Sequence, residues 1–197
     1  MPAPCAGDPC AATIAGVIAI VLTGAPGAGK STVASLLASR VARGAHIPVD
    51  FFRKMIKAGY ASPHRWSDEV ARQYRIARKS AAQTAMNLAA GGFVPILDDI
   101  VPPDWVDEWR QDLNGLDSRF VLLRPSLEVA RRRNLERSVW TVEESVLTEV
   151  HEMLGRDYTR DWLTVDNSHG SAADAVVAIA RGLGLALGGA GARAQPS

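Results

Sequence analysis

The stretch Gly24-Ala25-Pro26-Gly27-Ala28-Gly29-Lys30-Ser31-Thr32 satisfies G-x-x-x-x-G-K-[ST] in full and follows the apolar run Val17-Ile18-Ala19-Ile20-Val21-Leu22. It constrains the chain more than any other feature. Its glycines let consecutive backbone N–H groups turn toward one anion, and a helix starting just beyond brings its positive end to the same point. In the order strand, loop, helix this motif cradles the phosphates of a nucleoside triphosphate. Residues 24–32 are therefore read as the nucleotide-binding set. Lys30 is expected to reach the β- and γ-phosphates and Ser31 to place its hydroxyl on Mg²⁺, while Thr32 begins the helix wall.

The rest of the chain alternates short apolar runs with helical periods. Runs near residues 16–22, 45–49, 93–97, 120–123 and 162–165 are expected as strands, the first nearly continuous in apolar character, as in a parallel sheet buried on both faces. Between them, Val33, Leu36, Leu37 and Val41 recur at helical spacing after the loop, as do Val70, Tyr74, Ala77, Ala81, Ala85 and Leu88 after the start signal Ser67-Asp68-Glu69. Shorter helices are expected over 51–58 and from Pro102, then from Ser126 to Arg137, from Thr141 to Leu154 and from Ser171 to Leu185. Alternation of this kind implies an α/β fold of βαβ units with right-handed crossovers. Pro95 sits awkwardly in its strand, because proline removes a ladder donor.

Length and charge exclude several classes. The 197 residues suit one domain, expected over 14–187 between a flexible leader (1–13) and a disordered tail (188–197). A formal net charge of +1 disfavours a nucleic-acid partner. Cys5 and Cys10 lie in the Pro-rich leader, outside any disulfide or metal pattern. No apolar run is long enough to cross a membrane, and no basic segment precedes the run ending at Leu22, so a cytoplasmic protein is expected. A homo-oligomer is compatible with all of this.

Acids at the carboxyl ends of parallel strands sit where such sheets bind ligands. Asp50 follows the second strand and Asp98 the third. Phosphoryl transfer needs an oriented acceptor hydroxyl and a metal held against the phosphates. Asp50 is accordingly assigned to the hydroxyl as general base or positioning group, with capping of the next helix as its other reading. Asp98 is assigned to Mg²⁺, directly or through water, with Asp99 as the alternative for either role. Arg133 and Arg137, four apart on one helix, could grip the transferred phosphoryl together or pair with Glu128 and Glu136 on the surface. Arg53, Arg72 and Arg75 are candidates for an acceptor pocket, the last two otherwise lying on a solvated face with Lys79. Trp105 and Trp109 are core anchors or the wall of a flat substrate, and Asp166-Asn167-Ser168 falls where an adenine-contacting loop would lie.

Together the loop, "V-D" at Val49-Asp50, the long helix, "G-G-F-V-P-I-L-D-D" and the basic helix after "L-L-R-P" resemble the small P-loop kinases over about residues 16–185, most of all their chloramphenicol phosphotransferase-like branch. The resemblance implies a three-layer αβα P-loop NTPase fold with a five-stranded parallel sheet of order 2-3-1-4-5, ATP and Mg²⁺, and a small helical lid at about 138–149. It also implies transfer of the γ-phosphate to a hydroxyl of a small molecule, an antibiotic or other metabolite, with Asp50 as the acceptor-side carboxylate and Arg133 and Arg137 as lid arginines. A nucleoside or nucleotide kinase is the alternative, followed by a P-loop ATPase regulator that phosphorylates nothing.

Overall fold

The computed structural model describes residues 16–63, 65–136, 141–156 and 159–188. Strands β1 (Ile18–Thr23), β2 (Gly44–Pro48), β3 (Val94–Asp98), β4 (Asp117–Leu123) and β5 (Leu163–Val165) form one sheet in the order β2-β3-β1-β4-β5. Every pairing is parallel, as the expected P-loop topology requires. Helices α1 (Lys30–Arg40) and α7 (Ala172–Leu183) cover one face, where Ile20, Leu22, Ile96, Val121 and Leu123 pack against Val33, Leu37, Val176 and Ile179. The other face carries Val21, Ile47, Leu97, Phe120 and Leu122 against Ala77, Ala81 and Ala85 of α3 (Asp68–Ala90) and Trp109 of α4 (Val106–Asp112). Because side chains alternate along a strand, two cores form from one set of strands and give the three layers.

Local chemistry accounts for the element ends. Ser67 caps α3, its side chain accepting from Val70 N at 3.3 Å, and Ser126 caps α5 (Leu127–Leu135) through Val129 N in the same way. Ser171 and Asp174 close a capping box at α7. Pro95 is tolerated in interior β3 because the ladder leaves it no donor to supply. Val94 N donates to Arg43 O on the β2 side, so by alternation Pro95 faces β1, whose pairing begins only at Ile20↔Ile96.

Several boundaries depart from the sequence expectation. The second strand stops at Pro48, and Val49 and Asp50 form the first turn of α2 (Val49–Lys54). Proline has a fixed φ and no N–H, which suits the position before a helix better than a strand interior. The helix expected over 51–58 is correspondingly short, and α5 stops at Leu135. Helix α6 (Glu144–Met153) takes up the second half of the expected lid, whose residues 138–140 lie outside the described residues with Arg137, the leader 1–13 and the tail beyond 188. Gly188 itself donates to Arg40 O at 2.7 Å, beside an antiparallel bridge between Val41 and Leu187.

Candidate active site

Two half-sites meet at the carboxyl edge of the sheet. The first is the loop after β1. Gly27 has φ +81, and a side chain there would collide with the carbonyl of Ala130, so glycine is required for the loop to lie against α5. Helix α1 begins at Lys30 without a side-chain cap and with no acid in its first turn, which leaves its N-terminal donors to an anion. The Lys30 ammonium folds across the loop and donates to Gly24 O at 2.8 Å and Ala25 O at 3.2 Å. This set of backbone donors and one lysine fits a polyphosphate.

Beside the loop lies a cavity of about 200 Å³ lined by Gly29, Thr32, Val33, Arg133, Asn167, Ser171 and Ala172. Arg133 donates to Asn167 O at 2.9 Å, and Asn167 donates to Ala28 O at 2.9 Å, which ties the loop after β5 to the phosphate loop. Arg133 therefore stands at the nucleotide side, next to the position expected for a base-contacting loop.

The two acids at the end of β3 face opposite ways. Asp98 lies on the α1 face, where His46 of β2 holds its Oδ2 at 2.8 Å. Asp99 continues the ladder by donating N–H to Leu22 O at 3.1 Å, so its side chain turns to the α3 face and accepts from Trp109 Nε1 at 3.2 Å. Burial raises the Asp99 carboxyl to about 7, against the pull of Arg78. Ser31, in the first turn of α1, and Asp98 are on the same face of the sheet.

The α3 face holds the second half-site. Asp50 is exposed in the first turn of α2, and its charge is felt at both Asp99 and Tyr74. Burial, together with these two acids and against Arg53, pushes the Tyr74 phenol up to about 12. Arg53 is buried, donates to Ala61 O at 2.8 Å and lies 3.9 Å over the Tyr74 ring. One turn along α3, Arg78 lies 3.3 Å over the ring of Trp105, and Trp105 packs against Tyr74 and Trp66 at 5.6 and 6.4 Å. Two cations thus flank a pair of aromatic faces along this wall.

Of the arginines singled out from the sequence, Arg53 is in this wall. Arg72 and Arg75 are not: they lie on the outer face of α3 in exposed ion pairs with Glu69 and Glu108. Arg78 and Tyr74 escaped the sequence reading as site residues. A signal existed for Arg78, because it falls among Val70, Tyr74, Ala77, Ala81 and Ala85 on the helix face that the period assigns to the core. A charged residue at such a position calls for a reason.

Comparison with known proteins agrees with this fold. The model of the chloramphenicol phosphotransferase-like protein family matches residues 17–183. A search of curated proteins found no matching relative. Among solved structures, the Deinococcus radiodurans tunicamycin resistance protein superposes with a TM-score of 0.66 at 18% identity, covering 87% of this chain and 98% of its own. A gluconokinase from Sinorhizobium meliloti 1021 gives 0.60 at 21%, covering 86% and 93%, and a shikimate kinase from Acinetobacter baumannii in complex with shikimate 0.59 at 21%, covering 84% and 92%. At these identities the superpositions speak for the shared fold.

Proposed function

The chain belongs to the chloramphenicol phosphotransferase-like family, and from that premise we propose that it is a cytoplasmic, ATP-dependent O-phosphotransferase acting on a hydroxyl of a small molecule, an antibiotic or other metabolite. The observation that carries the reading is the pair of half-sites at one sheet edge: the phosphate loop with Lys30 on one side, and Asp50 before the buried Arg53–Tyr74–Trp105–Arg78 wall on the other. A regulator that only hydrolyses ATP has no use for a second, acceptor-shaped half. A nucleotide kinase, which needs cations for an acceptor phosphate, loses support from Arg72 and Arg75, whose guanidiniums point to acids on the surface.

When bound, ATP supplies the γ-phosphoryl, which bonds to the acceptor oxygen as its bond to the ADP oxygen breaks, while Mg²⁺ offsets the phosphate charge. The protein residues divide the remaining work. The loop amides and Lys30 hold the phosphates, Ser31 and Asp98 would hold the metal, and Asp50 orients the acceptor hydroxyl and takes its proton. Arg133, at the base-side cavity, holds the donor end, and α6 with the segment before it acts as the lid.

Two substitutions test the assignment. Asp50→Asn should lower the transfer rate by about 10²–10⁴-fold while melting remains cooperative, the range expected for loss of a general base. Lys30→Ala should cost about 10²–10³-fold, as for one removed charge stabiliser. Wild-type transfer in Asp50→Asn, measured as ADP formation with acceptor present, would remove Asp50 from the mechanism.

A further inference from the structure

Arg78 is 2% exposed, yet both of its terminal Nη atoms are buried with no hydrogen-bond partner among the described residues. Among the described residues its only side-chain hydrogen bond runs from Nε to Tyr74 O at a long 3.4 Å, and it makes no ion pair, although it feels the charges of Asp99, Glu108 and Asp112. Leaving a guanidinium edge dry and unpaired is costly, and natural interiors seldom accept it. Trp105 occupies one flat side of the guanidinium at 3.3 Å, and what remains is its edge, with two N–H forks in a plane.

We propose that Arg78 anchors an anionic group of the acceptor, and that this group is a carboxylate: the substrate is a hydroxy acid whose hydroxyl faces Asp50 and whose carboxylate meets the Nη edge of Arg78. The proposal rests on the phosphotransferase reading above and names the substrate class for it. A carboxylate is planar and takes two parallel N–H bonds from such a fork. Glu108 and Asp112 already act on Arg78, which favours a partner of one negative charge over a dianionic phosphate ester. Tyr74, Trp105 and Trp66 add aromatic faces for a cyclic or aryl carbon skeleton. Trp66, which packs on Trp105, is 64% exposed on the connection between α2 and α3.

The test uses the full chain and four probes, mandelate, 3-phenyllactate, quinate and gluconate, each beside its neutral amide, with glycerol 3-phosphate as the phosphate-ester probe. Binding is followed by thermal shift and calorimetry, and transfer by ADP formation with ATP and Mg²⁺. At least one acid should bind wild type ten-fold or more tightly than its amide. Arg78→Gln should weaken the acid by about 30-fold or more and the amide by less than about three-fold, with Arg78→Lys between. Should Arg78→Gln fail to fold, the acid-to-amide ratio on wild type and the Arg78→Lys variant carry the test. Equal binding of acid and amide, equal loss of both in Arg78→Gln, preference for glycerol 3-phosphate, or no bound acid at all would overturn the proposal. An acid that binds through Arg78 but receives no phosphate would uphold the anchor and overturn the phosphotransferase reading instead.

Discussion

Asp99 carries the clearest pH signature in the molecule. Its carboxyl titrates near 7 when folded and near 3.8 when unfolded, because burial disfavours the charged form. Between those values the folded state holds a proton that the unfolded state has lost, so this residue's contribution to stability falls as pH rises, by at most about 1.4 kcal/mol per pH unit. Asp99→Asn keeps an acceptor for Trp109 Nε1 and has no proton to lose. Melting temperatures measured from pH 4 to 8 should therefore show the variant gaining on wild type through pH 4–7 and holding a constant margin above it. Parallel curves would mean that Asp99 is ionised when folded. Neighbouring Asp98 has a different setting, with His46 at 2.8 Å on the other face. One step along a strand reverses a side chain's face, and here it separates two acids that are adjacent in sequence.

At the scale of elements, side chains of α5 hold α6 and the residue pair before it. Asn134 is buried, donates to Val142 O at 2.8 Å and accepts from Val142 N at 3.2 Å. Arg131 adds a bond to Thr148 Oγ1 at 3.2 Å, and Leu147 of α6 is fully buried. If α6 belongs to a lid, this clasp sets how far it opens from its α5 side. Asn134→Ala should cost about 1–3 kcal/mol, the range for a buried backbone pair left without partners. Hydrogen exchange should show the loss first at the Val142 amide and along α6, with the sheet strands unaffected. Uniform loss of protection across the molecule would place Asn134 in the global core instead. The sequence expectation for these helices erred mainly at their ends. Propensity runs on past Leu135, whereas the actual stop is set by contacts that propensity does not see, such as the bonds of Asn134 to Val142.

For the whole molecule, nucleotide binding and folding are linked, because the phosphate loop exists as a donor array only when β1, α1 and α5 are assembled. ATP analogue at 100 times its dissociation constant should stabilise the protein by about 2.7 kcal/mol. The shift should vanish in Lys30→Ala if that ammonium supplies most of the grip. An undiminished shift would assign the binding to the backbone amides alone. Most of this donor half was readable in order along the chain: glycines, lysine, hydroxyls and the strand before them occupy consecutive positions, and the parallel topology followed from alternating periods together with the family likeness. The proposed acceptor half was readable only in part. Asp50 stood out by its place after a strand and Arg53 was a candidate, while Arg72 and Arg75, read as a solvated helix face or as pocket residues, lie on the surface. Arg78, Tyr74 and the facing of Asp99 were not visible as a site at all.

The division has a physical cause. A loop whose function is to aim its own backbone N–H groups is specified by the φ/ψ freedom of contiguous residues, so the sequence by itself determined the nucleotide half and the α/β architecture that presents it. The proposed acceptor half consists of charges whose chemistry depends on burial and on partners from α2, α3, the end of β3 and the turn before α4. Whether an arginine on a helix is solvated or buried against tryptophan is decided by a rotation of about 100° per residue around that helix and by what packs there. Only the tertiary structure decided that Arg78, and not Arg75, is the buried cation facing an unfilled need.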